Sequence, residues 1–265
     1  MMIVDTHVHL YPDYDMGLVL RRCAERLHAL APDAVPVACL TERSDCDQYR
    51  AILASRNVAG GGVLGVEVLE GGRSFAVRFG GGVPPLFILP GRQIATRERI
   101  ELHCLGKQAD IPDGEPCRQT VGRILELDGL AVLPWGVGKW LFRRRRVVDA
   151  LLAAYSPSEL MLGDSAMRPW LWPEPVPLRC ARRRGYRVLA GSDPLPHEAN
   201  GVWIGCYATL IDGRFDPGAP AKSCLEGLRS GKLTQRGKRP GPVSFALRMA
   251  GSLQACGCCP FFSLI

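Results

Sequence analysis

The sequence alternates between apolar strand-like segments and amphipathic helix-like segments, and this alternation constrains the fold more than any other feature. A strand pattern at residues 3–9 precedes helical spacing at 16–31, a second strand at 35–41 and a short helix at 46–55. The same alternation returns after residue 117. It is typical of α/β proteins with parallel strands, because each helix carries the chain back to the start of the next strand.

The alternation is interrupted at residues 62–106 by about four strand-like segments with turn signals between them. We expect these strands to be antiparallel because the turn at residues 70–73 is a hairpin signal. Six or seven strands alternating with helices predict an α/β barrel over residues 1–213, with the antiparallel segment inserted. Residues 214–265 are expected to form a basic helical extension and tail, since they contain eight Lys or Arg and two Asp or Glu.

Composition excludes several classes of protein. Hydrophobic residues make up 47% and charged residues 22% of the 265 residues, an ordinary globular balance, and no apolar run is long enough for a membrane helix. The N-terminal residues lack the features of a signal peptide, so we expect a cytoplasmic protein without a membrane partner. The eleven scattered cysteines then favour free thiols over a disulfide framework.

The segment from Ile3 to His9 contains the most informative candidate site. Side chains alternate along a strand, so Asp5, His7 and His9 lie on one face near its carboxyl end. In α/β barrels this end carries the active site, and two imidazoles at this spacing can bind one cation. The alternative is a pair of structural histidines bonded to the backbone. Their position directly after an apolar strand favours the metal site.

A second candidate follows the apolar segment 188–190, where the chain turns through Gly191, Ser192 and Asp193. A carboxylate at the end of a late strand can complete a His-His-Asp site and accept the proton of a metal-bound water. We therefore predict one divalent ion, Zn²⁺ or Mn²⁺, with Asp193 as both ligand and catalytic residue. The alternative is an Asx-turn before Pro194.

Basic residues follow two further strand segments. Lys139 and Arg143 come after the strand at 130–134 and are predicted to bind an anionic substrate, with a solvated helix start as the alternative. Arg168 is a third candidate for substrate binding, and Asp164 is either its partner or an extra metal ligand. Neither a Gly-x-Ser-x-Gly elbow nor a phosphate-binding P-loop motif occurs, which argues against a serine hydrolase and an ATPase of those types.

Four segments carry recognisable motifs: His7-Val8-His9, Pro90-Gly91-Arg92-Gln93-Ile94, Glu101-Leu102-His103-Cys104-Leu105-Gly106 and Gly191-Ser192-Asp193. Together they resemble the motifs of the polymerase and histidinol phosphatase (PHP) family and, more distantly, of the amidohydrolases. The resemblance extends over most of residues 3–206. It implies an α/β fold with a distorted (β/α)7 TIM-like barrel, and hydrolysis of phosphate esters with up to three divalent metals. It also implies that His103 and Gln93 join the metal ligands.

The chain departs from the family pattern at several ligand positions. Glu42 and Arg43 stand where the family has an Asp-His pair, so one imidazole is lost and Arg43 becomes a candidate for substrate binding. Gln93 replaces a bridging Glu, and Pro134 lies where a His is usual. His197 lies two residues further along than the family's motif places it. The remaining ligands are enough for one metal ion rather than three.

These observations predict a metal-dependent hydrolase that acts on a small anionic substrate, such as a phosphate ester, through a metal-activated water. The alternative is a catalytically degenerate PHP-fold protein that binds a ligand or partner. A nucleic-acid-processing protein is the weaker third prediction, since the basic tail and the arginine runs alone support it.

Overall fold

The computed structural model of the chain describes residues 1–196 and 198–255. Within these ranges it contains twelve strands and seven α-helices, arranged as two open mixed sheets with helices packed on them. The strands are β1 (Met2–Val8), β2 (Val35–Leu40), β3 (Val63–Leu69), β4 (Ser74–Phe79), β5 (Leu86–Leu89), β6 (Gly91–Ala95), β7 (Glu101–Leu105), β8 (Leu130–Pro134), β9 (Leu160–Ser165), β10 (Val188–Gly191), β11 (Tyr207–Asp212) and β12 (Lys232–Gly237). The helices are α1 (Met16–Leu30), α2 (Gln48–Ser55), α3 (Cys117–Glu126), α4 (Phe142–Ala154), α5 (Val176–Arg183), α6 (Pro220–Ser230) and α7 (Pro242–Ala255).

The first sheet has seven strands in the order β12-β11-β1-β2-β5-β4-β3. β1 pairs with β2, and β2 with β5, in parallel, while the remaining pairs are antiparallel. The second sheet has five strands in the order β10-β9-β8-β7-β6, of which β8, β9 and β10 are parallel. β6 and β7 complete it as antiparallel strands.

The predicted distorted (β/α)7 barrel of PHP type is therefore wrong for this chain. Closure needs one continuous hydrogen-bonded ladder, but among the described residues no strand of the first sheet is paired in a ladder with a strand of the second. Both sides of the β1–β2 pair are occupied by strands of its own sheet. β11 pairs antiparallel with β1, and β5 pairs with β2. The segment 62–106, expected as one insertion, is divided as well, because β3–β5 extend the first sheet and β6–β7 extend the second.

The two sheets meet where β1 passes β10. The Thr6 hydroxyl donates to the carbonyl of Ala190 at 3.1 Å, and the Asp193 backbone N–H donates to the carbonyl of His7 at 2.9 Å. This approach needs a glycine at position 191, since a Cβ atom there would lie 2.4 Å from the Cβ of His7. The end of β1 and the turn after β10 are consequently held side by side.

Three apolar clusters support this arrangement. One lies between the first sheet and α1, one between the second sheet and α3–α5, and the third joins strands of both sheets to α6. α1 illustrates the local cause: its buried residues recur every three or four positions, and the Asp15 carboxylate caps its N-terminus by accepting from the Leu18 N–H. Among the described helices, none combines the length and apolar character that crossing a membrane would require.

Two elements of the chain's second half bear on the basic residues. α4 begins at Phe142 and so includes the arginine run. Residues 232–237, within the basic C-terminal segment, form β12 and pair with β11. The eight cysteines in the described residues are free thiols. His197 and the cysteine group Cys256, Cys258 and Cys259 lie outside the described residues.

Candidate metal centre

His7, His9 and Asp193 come together at the junction of the two sheets. Their ligand atoms all lie within 4.8 Å of one another. The Nε2 atoms of His7 and His9 are 3.1 Å apart, and Asp193 Oδ1 lies 3.4 Å from the first and 3.8 Å from the second. Both histidines are buried, at 6% exposure. The sequence-based expectation that these three side chains converge agrees with this geometry, and the group can bind a metal ion.

The Asp5 carboxylate does not join the histidines, although Asp5, His7 and His9 occupy alternate positions at the end of the same strand. It is fully buried and accepts hydrogen bonds from the Ser192 N–H and hydroxyl, the Gly205 N–H and the His7 N–H, at 2.5–3.2 Å. Burial raises its pKa to about 6, against the opposing effect of these donors. Asp5 thus ties β1 to the turn that carries Asp193.

Asp193 has an uncommon backbone conformation, with φ at +51°. Non-glycine residues in this region cost free energy and persist where surrounding contacts fix them. Three contacts do so: the Asp193 N–H donates to His7 O at 2.9 Å, Ser165 Oγ donates to Oδ2 at 3.1 Å, and Arg248 Nη2 donates to the Asp193 carbonyl at 2.9 Å. Oδ1 is left facing the two imidazoles.

His103, on β7, packs against the same cluster. Its ring centroid lies 4.3 Å from that of His7, at an interplanar angle of 71°. The side chain is buried, and its Nε2 atom has no hydrogen-bond partner among the described residues. Gln93 is opposite His103 in the antiparallel β6–β7 register. A buried imidazole nitrogen without a partner costs free energy, so this atom indicates that the site accommodates a further group.

The protonation states at the cluster suit a divalent cation. Burial, followed by the charge on His7, lowers the pKa of His9 to about 3, and burial holds the pKa of His103 well below its usual value. For Asp193, burial alone would raise the pKa, but the positive charge that His7 and His9 carry when protonated, together with that of Lys139, lowers it overall. Neutral imidazoles beside an ionised carboxylate are the form in which these groups bind metals. With the unpaired nitrogen of His103, the residues present fit one such ion.

Lys139 and Arg43 lie close enough to affect the cluster electrostatically. Lys139 Nζ is 2.6 Å from Glu101 Oε1, and its side chain is 43% exposed. Burial opposes its charged form, but the Glu101 carboxylate outweighs this and raises the Lys139 pKa. Arg43 donates to Asp45 at 2.9 Å. The positive charges of Lys139 and Arg43 both lower the pKa of His9, so their potential extends into the site.

The other two arginines predicted to bind substrate have different surroundings. Arg143 is exposed on the first turn of α4. Arg168 is buried and forms two hydrogen bonds with the Asp164 carboxylate, at 2.9 and 2.5 Å, and one with Trp172 O at 2.7 Å. Tyr207 donates to Asp164 as well. Of the two roles expected for Asp164, the structure therefore shows the pairing with Arg168.

Glu42, which stands where the PHP pattern has an Asp ligand, is hydrogen-bonded to the start of a helix. Its carboxylate accepts from the backbone N–H groups of Gln48 and Tyr49, at 2.5 and 3.1 Å, and so satisfies two free donors at the start of α2. Burial raises its pKa to about 7, which the two N–H donors counteract in part.

Sequence reasoning missed Ser165 and Arg248, the two residues whose side chains donate hydrogen bonds to Asp193. Ser165 ends β9 directly after Asp164, and alternation along that strand was the available signal. Arg248 had a weaker one: it is the only charged residue in the segment that forms α7. A lone charge in a largely apolar helix indicates a specific partner.

The comparisons with known proteins support the fold and go no further. No family model and no curated protein matches the chain. It is similar to the crystal structure of PsfC from Pseudomonas syringae PB-5123, at 16% identity and a TM-score of 0.60, over 96% of this chain and 98% of PsfC. Such a likeness shows that the two chains share a fold, while membership of the PHP family stays a prediction.

Two weaker matches are endonucleases. One is the lesion-specific endonuclease PfuEndoQ from Pyrococcus furiosus, at 12% identity and a TM-score of 0.48, over 88% of this chain and 57% of that one. The other is endonuclease Q in complex with a 27-mer duplex substrate with an abasic lesion at the active site, at 12% identity and a TM-score of 0.46, over 87% and 58%. At these scores neither match bears on the function of this chain.

Proposed function

We propose that the chain is a metal-dependent hydrolase acting on a small anionic substrate, with a phosphate ester as the substrate class. The observation that carries the proposal is the convergence of His7, His9 and Asp193, whose ligand atoms lie within 4.8 Å of one another. His103 supplies a further imidazole against the same cluster, and Gln93 is its neighbour across the β6–β7 pair. One Zn²⁺ or Mn²⁺ ion is the cofactor that this donor set suits.

When bound, the ion would polarise a phosphoryl oxygen and acidify a water molecule. The chain's own residues then have separate tasks. His7 and His9 provide imidazole nitrogens from one strand end. Asp193, whose pKa is lowered, provides an ionised carboxylate that can bind the cation through Oδ1 or accept a proton. Ser165 holds Oδ2 at 3.1 Å and thereby orients the carboxylate.

The charge around the site favours an anion. Lys139 is partly exposed, and its ammonium has the Glu101 carboxylate as partner. An incoming phosphate can share this ammonium, with Arg43 as a second cation within electrostatic range of His9. Arg143 and Arg168 stay predictions for substrate binding.

The metal content of the full-length protein tests the proposal. After treatment with a chelator, the protein is titrated with Zn²⁺ or Mn²⁺, and binding is followed by elemental analysis and calorimetry. We expect one ion per chain in the wild type and a large loss of affinity in His7→Ala, because a ligand is removed. His28→Ala, at an exposed helical histidine, is the matched control and keeps wild-type affinity. A wild-type protein that takes up no ion contradicts the proposal.

Turnover is tested separately with a panel of small phosphate esters. The metal-loaded wild type is expected to hydrolyse at least one of them, and His7→Ala to abolish that activity. Lys139→Met is expected to raise the KM for the anionic substrate without weakening metal binding, because it removes a cation and no ligand.

A catalytically degenerate PHP-fold protein that binds a ligand or partner is the second candidate. The observation that favours it is Glu42, whose carboxylate is bonded to the start of α2. Metal uptake at His7 and His9 without turnover of any ester in the panel supports this candidate over the hydrolase. A nucleic-acid partner and a cytoplasmic location stay predictions from sequence.

A further inference from the structure

α7 has its charged residue inside and apolar residues outside. Val243 and Leu247 are 74% and 68% exposed, whereas Arg248 is only 4% exposed. Burying a guanidinium removes it from water at a considerable cost, and an apolar side chain would fix a helix to the protein without that cost. The position of Arg248 therefore indicates a task that a charged, hydrogen-bonding side chain performs.

The contacts of Arg248 identify that task. Its Nη2 donates to the Asp193 carbonyl at 2.9 Å, and its Nη1 lies 3.4 Å from the Ala166 carbonyl. The guanidinium carbon lies 5.0 Å from the ring centroid of Trp203, within cation–π distance. Arg248 thus links the residue after β9 to the turn after β10, and the Trp203 ring lies against its guanidinium.

The Asp193 conformation explains why such a link matters. A residue at a φ of +51° relaxes to an ordinary conformation unless its flanking peptide groups are fixed. The His7 carbonyl fixes the N–H side of Asp193, and Arg248 fixes the carbonyl side. Relaxation of either peptide group would rotate the carboxylate relative to the two imidazoles.

We propose that Arg248 is a positioning residue of the metal centre: it holds Asp193 in the conformation that directs Oδ1 toward His7 and His9, and so makes α7 part of the site. The inference rests on the proposed metal-binding function. It predicts that an α7 residue that touches no metal ligand side chain nonetheless sets the metal affinity.

Metal affinity of full-length variants tests this role. Arg248→Met keeps an unbranched, flexible stem but removes every donor. It is expected to weaken Zn²⁺ or Mn²⁺ binding about 10–100-fold, as loss of a residue that orients a ligand typically does. Arg248→Lys retains a cation and a donor but only one nitrogen, and should recover part of the loss. Leu247→Ala, at the exposed neighbouring position, is the matched control and keeps wild-type affinity. The visible absorption spectrum of bound Co²⁺ should change in Arg248→Met and not in Leu247→Ala.

A double-mutant cycle separates positioning from general destabilisation. In an Asp193→Ala background, Arg248→Met should cause no further loss of affinity, since the ligand that Arg248 positions is already absent. An undiminished further loss overturns the proposal, as does wild-type affinity in Arg248→Met. Should circular dichroism show that Arg248→Met does not fold, Arg248→Lys decides alone, and wild-type affinity there overturns the proposal. Failure of the wild type itself to bind metal refutes the proposed function instead.

Discussion

The Asp164–Arg168 pair permits a quantitative test of how the chain is held beyond β9. Its side chains are 2% and 5% exposed, and two hydrogen bonds of 2.9 and 2.5 Å join them. Asp164→Asn keeps the shape but removes the charge, leaving a buried guanidinium without its counter-charge. Breaking a buried pair in this way costs about 3–5 kcal/mol. At about 2–4 °C per kcal/mol for a chain of this size, Tm should fall by roughly 6–20 °C.

The chain offers a matched control in Arg145–Asp149, an Arg–Asp pair with the same four-residue separation and a 2.8 Å contact. These side chains are 41% and 53% exposed, so Asp149→Asn should cost at most about 1 kcal/mol. Thermal unfolding by circular dichroism, with urea unfolding as a second measure, compares the two variants. Equal Tm changes, or a loss below about 1 kcal/mol in Asp164→Asn, would refute the reasoning that burial makes this pair costly to break.

Two further predictions concern pH and the start of α2. The free energy of unfolding should fall as pH is lowered from 6.5 towards about 3, because the His9 pKa is depressed and the unfolded chain therefore binds the proton first. Urea unfolding across this range should show a flatter pH dependence in His9→Gln and an unchanged one in the control His28→Gln. A wild-type slope in His9→Gln contradicts the assignment. Glu42→Ala should lower the free energy of unfolding in urea by about 1–2 kcal/mol, because two N–H groups of α2 lose their acceptor. Metal affinity should stay at the wild-type value, and a loss of metal affinity would place Glu42 in the site.

Local patterns in the sequence identified most elements of the fold, but they do not specify which strands pair. Residues 86–95 form one apolar segment in the sequence, yet the structure divides it into β5 and β6 in different sheets. The break falls at Pro90, and β6 begins at Gly91, where a Cβ atom would lie 2.1 Å from the carbonyl oxygen of Leu40. β11 likewise has ordinary strand character in the sequence. In the structure it pairs antiparallel with β1 and so occupies the edge of β1 that a strand of the second sheet would need to close a barrel. Alternation therefore predicted most of the strands and helices, whereas β12 and the division of residues 86–95 were missed and the predicted closure was wrong.

For the site, predictability follows the distance along the chain between partners. His7 and His9 are two residues apart on one strand, so alternation alone puts them together. Asp193 was found because an apolar strand ends just before it. Arg248 is 55 residues from Asp193 in the sequence and contacts its main-chain carbonyl oxygen. Every residue has such an oxygen, so the sequence gives no sign of this contact. Ser165 reaches the same residue from a neighbouring strand.

Two buried charges of opposite sign hold the turn after β10. Asp5, fully buried, accepts from the N–H groups of Ser192 and Gly205, while Arg248 donates to the Asp193 carbonyl. Each charge is costly to bury, and apolar side chains would serve stability at least as well. What charged groups provide is direction, because a hydrogen bond fixes a peptide group more narrowly than packing does. The turn is therefore held for its orientation, and the orientation it fixes is that of the Asp193 carboxylate toward the two imidazoles.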